Sequence, residues 1–165
     1  MSEGSDEELV RIEIRGLPIG LHARSQAHSD ELMREFRLLA EQMRQEGTSG
    51  VPRELIDLVA ALQGQYSAFT EEQEDALQQA IAREDETIDL TYQLPAHVSE
   101  GVLALGVMLD RADELCREGQ HLLTLATPPE LVAYRQWFLD EFTRQIAGEP
   151  PTAWIDSPQA RLLPA

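Results

Sequence analysis

Apolar and polar residues alternate along this chain with two different periods, and the switches between them mark its elements. Val10, Ile12 and Ile14 alternate with Arg11, Glu13 and Arg15, the period-two signature of a strand with one buried face. Ile88, Leu90, Tyr92 and Leu94 repeat that pattern against Asp89, Thr91 and Gln93. Both runs end in Leu-Pro, at Leu17-Pro18 and Leu94-Pro95. Two isolated strands need partners, and pairing with each other would tie the N-terminal part to the middle of the chain. Ile19 and Leu21 read as a further extended piece after the first run.

Between and beyond these runs the period is helical. Leu32, Phe36, Leu39 and Met43 form one face over residues 25–46, with Gly47 as the stop. Pro52 opens a second helix whose stripe is Leu55, Leu58, Val59 and Leu62. Thr70 and Gln73 have the spacing of a capping box and open a short helix with Leu77, Ala80 and Ile81 inward. A fourth helix over 96–118 carries Val98, Val102, Leu105, Leu109, Ala112 and Cys116 in a heptad-like seam. No polar side chain interrupts it from Val102 to Leu109, which places it at the centre of a bundle. The fifth, over 128–147, has Thr127 and Glu130 spaced as a capping box, Pro128 at its first position and Gly148 past its end. Its stripe is Leu131, Tyr134, Phe138, Phe142 and Ile146, with Trp137 at the edge and Asp140 placed to pair with Arg144. It is expected to pack antiparallel to the fourth helix across the loop at 119–127.

The reading is a mainly α (α+β) chain: a four- or five-helix bundle with a small two- or three-strand element. One helical domain spans 9–154, between a disordered acidic stretch at 1–8 and a C-terminal tail at 155–165, with Trp154 expected to dock the chain after the last helix back onto the body.

Charge narrows the partners. Thirty acidic residues against 13 basic ones give a formal net charge of -17, which repels phosphate backbones and anionic lipid, so neither nucleic acid nor membrane is expected as a partner. Eight acids and one arginine between residues 71 and 89 read as a solvated face. No apolar run approaches the roughly 18 residues of a membrane span, the first eight residues are unlike a signal peptide, and Cys116 stands alone, so a reducing cytoplasmic setting is expected. Every basic residue is arginine, and asparagine is absent too. The codons of the two missing residues, lysine and asparagine, begin with two adenines, and their joint absence indicates a GC-rich bacterial genome. Without lysine there is no Schiff-base chemistry and no Walker-type phosphate loop.

Metal and nucleophile chemistry find no assembled set. Glu118 and His121 form the one Glu-x-x-His, where a dinuclear iron site needs two and further glutamates. Cys116 and His121 lack a second pair for zinc, and Cys116 on the apolar seam reads as a core residue. Neither a cofactor nor a metal is expected, and the chain reads as no enzyme. Trp137, Arg135, Arg144 and Trp154 are the candidates for a protein contact, since tryptophan and arginine are enriched at interface hot spots.

Two resemblances bear on function. Gly20-Leu21-His22-Ala23-Arg24-Ser25, following a strand, resembles the active-site segment of the histidine-containing phosphocarrier family of the bacterial sugar phosphotransferase system. That resemblance implies His22 as phosphoryl carrier at a helix start and Arg24 as its assisting cation. It is confined to the first strand and the helix start, without counterparts for that family's other strands. The segments HSDELMREFRLLA, IDLTYQLP and LLTLATPPELVAYRQWFLDEFTRQIAGEPPTAW resemble an actinobacterial family of small helical proteins of unassigned activity, encoded beside STAS-domain proteins, GHKL-type anti-sigma kinases and serine phosphatases. This second resemblance implies a non-enzymatic protein-binding component of a partner-switching, anti-sigma type signalling circuit, with a STAS-domain protein or a GHKL-type kinase as partner. The alternatives are the His22 phosphocarrier or phospho-acceptor and a structural homo-oligomer built on the heptad-like seam.

Overall fold

The two alternating runs pair with each other. In the structure, a computed structural model describing residues 8–48, 50–118 and 126–164, strand β1 (Leu9–Pro18) lies antiparallel to β2 (Thr87–Pro95). Ile12 is opposite Tyr92 and Ile14 opposite Leu90, and all four are buried, so the polar alternates fall on the other face. Between Ile14 and Leu17 the register slips, and Gly16 takes φ 62°, a left-handed backbone that glycine adopts without a Cβ penalty. Its N–H donates to Asp89 Oδ1 at 2.7 Å, which fixes the bulge against the second strand.

Helix α1 (Ile19–Gln45) begins directly after Pro18. The extended piece expected at Ile19 and Leu21 is therefore helix, and the helix expected from residue 25 starts at Ile19. Ile19 is buried against the sheet cluster and Leu21 packs beside it, so these side chains satisfy the core while the backbone coils. The N–H of Ile19 donates to Glu86 O at 3.0 Å, using one of the donors that a helix start leaves over.

Four long helices form a ring. α1 touches α2 (Val51–Tyr66), α2 touches α4 (Val98–Arg117), α4 touches α5 (Pro129–Ile146), and α5 returns to α1. Neighbours run antiparallel: Arg135 reaches Asp113 while Leu139 lies at Gly106, so positions rise on α4 as they fall on α5. This is an up-down-up-down bundle. Helix α3 (Glu71–Ala82) and β2 are inserted between α2 and α4, and the short α6 (Pro158–Arg161) packs on α5. One core cluster joins the sheet to α5 and α3, and a second, with Leu32, Phe36, Leu55, Ala112 and Cys116, holds α1, α2 and α4 together.

Neither expected capping box forms. α5 begins at Pro129 with Pro128 as its N-cap, and the Thr127 hydroxyl donates instead to Asp113 and lies 2.9 Å from His28 Nε2. Glu130 reaches across to Arg24. At α3 the Thr70 hydroxyl turns back to Ser67 O, and Gln73 Nε2 donates to Thr91 O on β2. Thr127, Glu130 and Gln73 thus take tertiary partners, while Thr70 keeps a local one on the other side of the helix start.

Helix α4 is not enclosed at the centre. As one corner of the ring it buries a single stripe, so its apolar run from Val102 to Leu109 supplies more hydrophobic surface than the fold covers. Leu105 and Leu109 turn toward the second core cluster, whereas Leu103 and Val107 are 61% and 60% exposed. The expected disordered stretch at 1–8, except for Glu8, and most of the loop at 119–127 lie outside the described residues.

Candidate functional site

The exposed half of α4 forms one wall of a groove. The other wall is α5, and Gly106, with no side chain, makes the floor: a Cβ there would come within 3.7 Å of Leu139 Cδ1. The space is about 360 Å³, with Leu103, Val107 and Leu139 as its apolar surface and Asp110, Arg135 and Asp140 at its edges. Leu103 and Val107 are four apart on the helix and so stand on one face, one turn from each other.

Arg135 belongs to this groove, but its charge is already engaged. Its Nη2 donates to Asp110 Oδ1 and to Asp113 Oδ2, each at 2.8 Å, and the side chain is 13% exposed. Asp113, 1% exposed, accepts from Thr127 as well, so a polar chain runs from α4 through Thr127 to His28 on α1. This network fixes the width of the groove. Asp113 was hidden among seam positions in the sequence, and nothing local marks it as an acceptor for Arg135, 22 positions further on.

The other three residues expected to meet a partner are turned inward or occupied. Trp137 is 1% exposed; the expectation of a boundary or contact tryptophan is corrected, because the stripe of α5 is wide enough to bury it. Its Nε1–H donates to Thr152 O at 2.9 Å, and its ring meets Trp154 edge-on with centroids 5.5 Å apart. Trp154 thus docks the segment after α5 as expected, with Tyr134 as a second ring neighbour at 6.0 Å. Arg144 donates to Glu141 at 2.6 Å and to Glu149 at 2.8 Å rather than pairing with Asp140, whose carboxylate accepts from Gln159. Glu149 and Glu141 together hold its guanidinium above the usual arginine range, the Glu149 bond contributing most. Trp137, Arg144 and Trp154 are accordingly the fastening of the chain after α5.

His22 and Arg24 part company. His22 lies in the first turn of α1 with its ring 6.0 Å from Tyr134 and 6.3 Å from Phe138. Its Nδ1 is 2.7 Å from the Tyr134 hydroxyl. Burial pushes that hydroxyl far above its ordinary pKa, so it stays protonated, and the imidazole tautomer decides which of the two groups donates. Burial also holds His22 below the ordinary histidine value, with the Glu74 charge working in the opposite sense. Arg24 instead pairs with Glu130 on the surface. The resemblance to the phosphocarrier segment implies a cation beside the histidine; here the neighbouring charge is an acid.

Among the described residues no group of three or more histidine, cysteine or acidic side chains is disposed to hold a metal ion, while His121 of the Glu-x-x-His lies outside them. No described helix is long and apolar enough to cross a membrane. Cys116 is buried, as its place on the seam implies. No family model, no curated protein and no solved structure matches the chain.

Proposed function

We propose that this protein is a non-enzymatic binding component of a bacterial signalling circuit, and that the α4–α5 groove receives an amphipathic helix of its partner. The observation that carries the reading is the exposure of Leu103 and Val107 on a wall of that groove. Two large apolar side chains one turn apart, beside a groove with an apolar interior, match what helix-in-groove recognition uses. Asp110 and Asp140 at the edges, on a chain of net charge -17, favour a helix whose apolar stripe is flanked by arginine or lysine. The resemblance to the actinobacterial family supplies the setting: a partner-switching circuit with a STAS-domain protein or a GHKL-type anti-sigma kinase opposite.

The test is direct titration of the purified protein with a STAS-domain protein and a GHKL-type kinase from one actinobacterial genome, followed by calorimetry. One of them binds the native chain, and Leu103→Glu or Val107→Glu abolishes binding without lowering the melting temperature. Equal affinity in native and substituted chains would remove the groove as the contact, and no binding to either partner would remove the circuit.

A further inference from the structure

On the side of the bundle away from that groove, a cavity of about 580 Å³ opens between the start of α1, α3 and β2. Tyr92, Leu90 and Phe138 form its apolar part, while Asp30 and Glu74 are exposed acids on its edge and no arginine lines it. Gln73 also lines it, 9% exposed. Its orientation is fixed, because Thr91 O can only accept and must meet the Nε2 end of the amide. That leaves Oε1 buried without a hydrogen-bond partner among the described residues. A buried acceptor in this state is costly in the free protein, and a ligand that brings an N–H to it removes the cost.

We infer that this cavity binds a small organic ammonium ion with at least two cationic nitrogens joined by methylene chains, a molecule of the polyamine class. Gln73 Oε1 takes an ammonium N–H, Glu74 and Asp30 balance the charges, and the methylenes lie against Tyr92 and Phe138. The volume is in the range of small-molecule sites. A bare metal ion is less suited, because the described residues offer no cluster of three ionic ligands. His22, kept neutral by burial, adds no opposing charge. The inference is independent of the α4–α5 groove.

Spermidine titrated into the full chain at about 0.15 M salt, where long-range attraction between exposed charges is largely screened, provides the test. The expected result is binding of one spermidine per chain, weakened at least tenfold by Glu74→Gln and by Gln73→Leu but unchanged by Glu114→Gln, an exposed acid on α4 outside the cavity. Glu74 is exposed, so its substitution leaves the fold intact even if Gln73→Leu perturbs the contact with β2. Absence of binding, several weak sites, or retained affinity in either cavity variant would overturn the inference; the last two would show only attraction to an acidic surface.

Discussion

Gln145 on α5 stands against Glu13 on β1 as the residue of a third strand would. Its Oε1 accepts from the Glu13 N–H and its Nε2 donates to the Glu13 carbonyl, both at 2.8 Å. A two-stranded sheet leaves the outer edge of β1 with open backbone groups, and one side-chain amide satisfies both groups of its middle residue. Gln145→Leu keeps the bulk and removes both bonds, so the urea midpoint should fall by the equivalent of roughly 2 kcal/mol. Gln145→Glu should fare worse, since a carboxylate would face both the Glu13 carbonyl and Glu141. An unchanged midpoint in both variants would mean that water takes over the edge.

Glu141 is 1% exposed and accepts from Arg144, from Gln145 and from the backbone N–H of Thr152. Arg144→Met leaves this carboxylate with two neutral donors and no counter-charge, and a cost of about 3 kcal/mol is expected. The double change Arg144→Met with Glu141→Gln should recover much of it, because no unbalanced charge then remains buried. A thermodynamic cycle over the four proteins measures this, and strictly additive losses would contradict it.

Acid should weaken the fold partly through His22. Its pKa in the fold lies below the ordinary 6.5, held down by burial against the pull of Glu74 from α3; Tyr134 faces it from α5 and stays protonated. Between the two values the unfolded chain takes up a proton that the folded chain refuses. Stability from this group is therefore complete above pH 6.5, declines as pH falls toward the folded value, and stays low beneath it. His22→Gln should flatten the stability curve in that window. A curve parallel to that of the native chain would show that His22 is not the group responsible.

Cys116 should be inert until the bundle opens. Burial raises the thiol pKa, and Asp113 and Glu35 add to the shift, so little thiolate forms at neutral pH. An aromatic disulfide reagent should label the native protein far more slowly than the urea-unfolded chain. Immediate labelling under native conditions would place the thiol on the surface instead.

The elements were legible in the sequence where burial is one-sided. Ile12, Ile14, Leu90 and Tyr92 alternate with polar residues because one face of the sheet is covered and the other is not. The helix stripes followed for the same reason. The helices after Thr70 and Thr127 start within a residue of where the sequence puts them, but their capping boxes were misread because Thr127 and Gln73 spend their hydrogen bonds on Asp113 and Thr91, partners that no local spacing reveals. The groove was harder still. Leu103 and Val107 have the same apolar character as Leu105 and Leu109, and only the number of helices around α4 decides which pair faces solvent. The hint available was surplus: eight residues without a polar side chain exceed what one helix face can bury. For the cavity, Gln73 was visible only as a cap.

The pairing of Leu9 with Pro95 and of Pro18 with Thr87 sets an order on synthesis. A ribosome releases β1 first, yet the whole of α1, α2 and α3 must follow before β2 exists to meet it. During that interval Ile12, Ile14 and Leu17 have no sheet partner, and any early cover must come from helices that are themselves incomplete. Closing so long a loop makes the sheet a late event, slower than the local contacts between successive helices. The first strand to leave the ribosome is thus among the last to reach its final place.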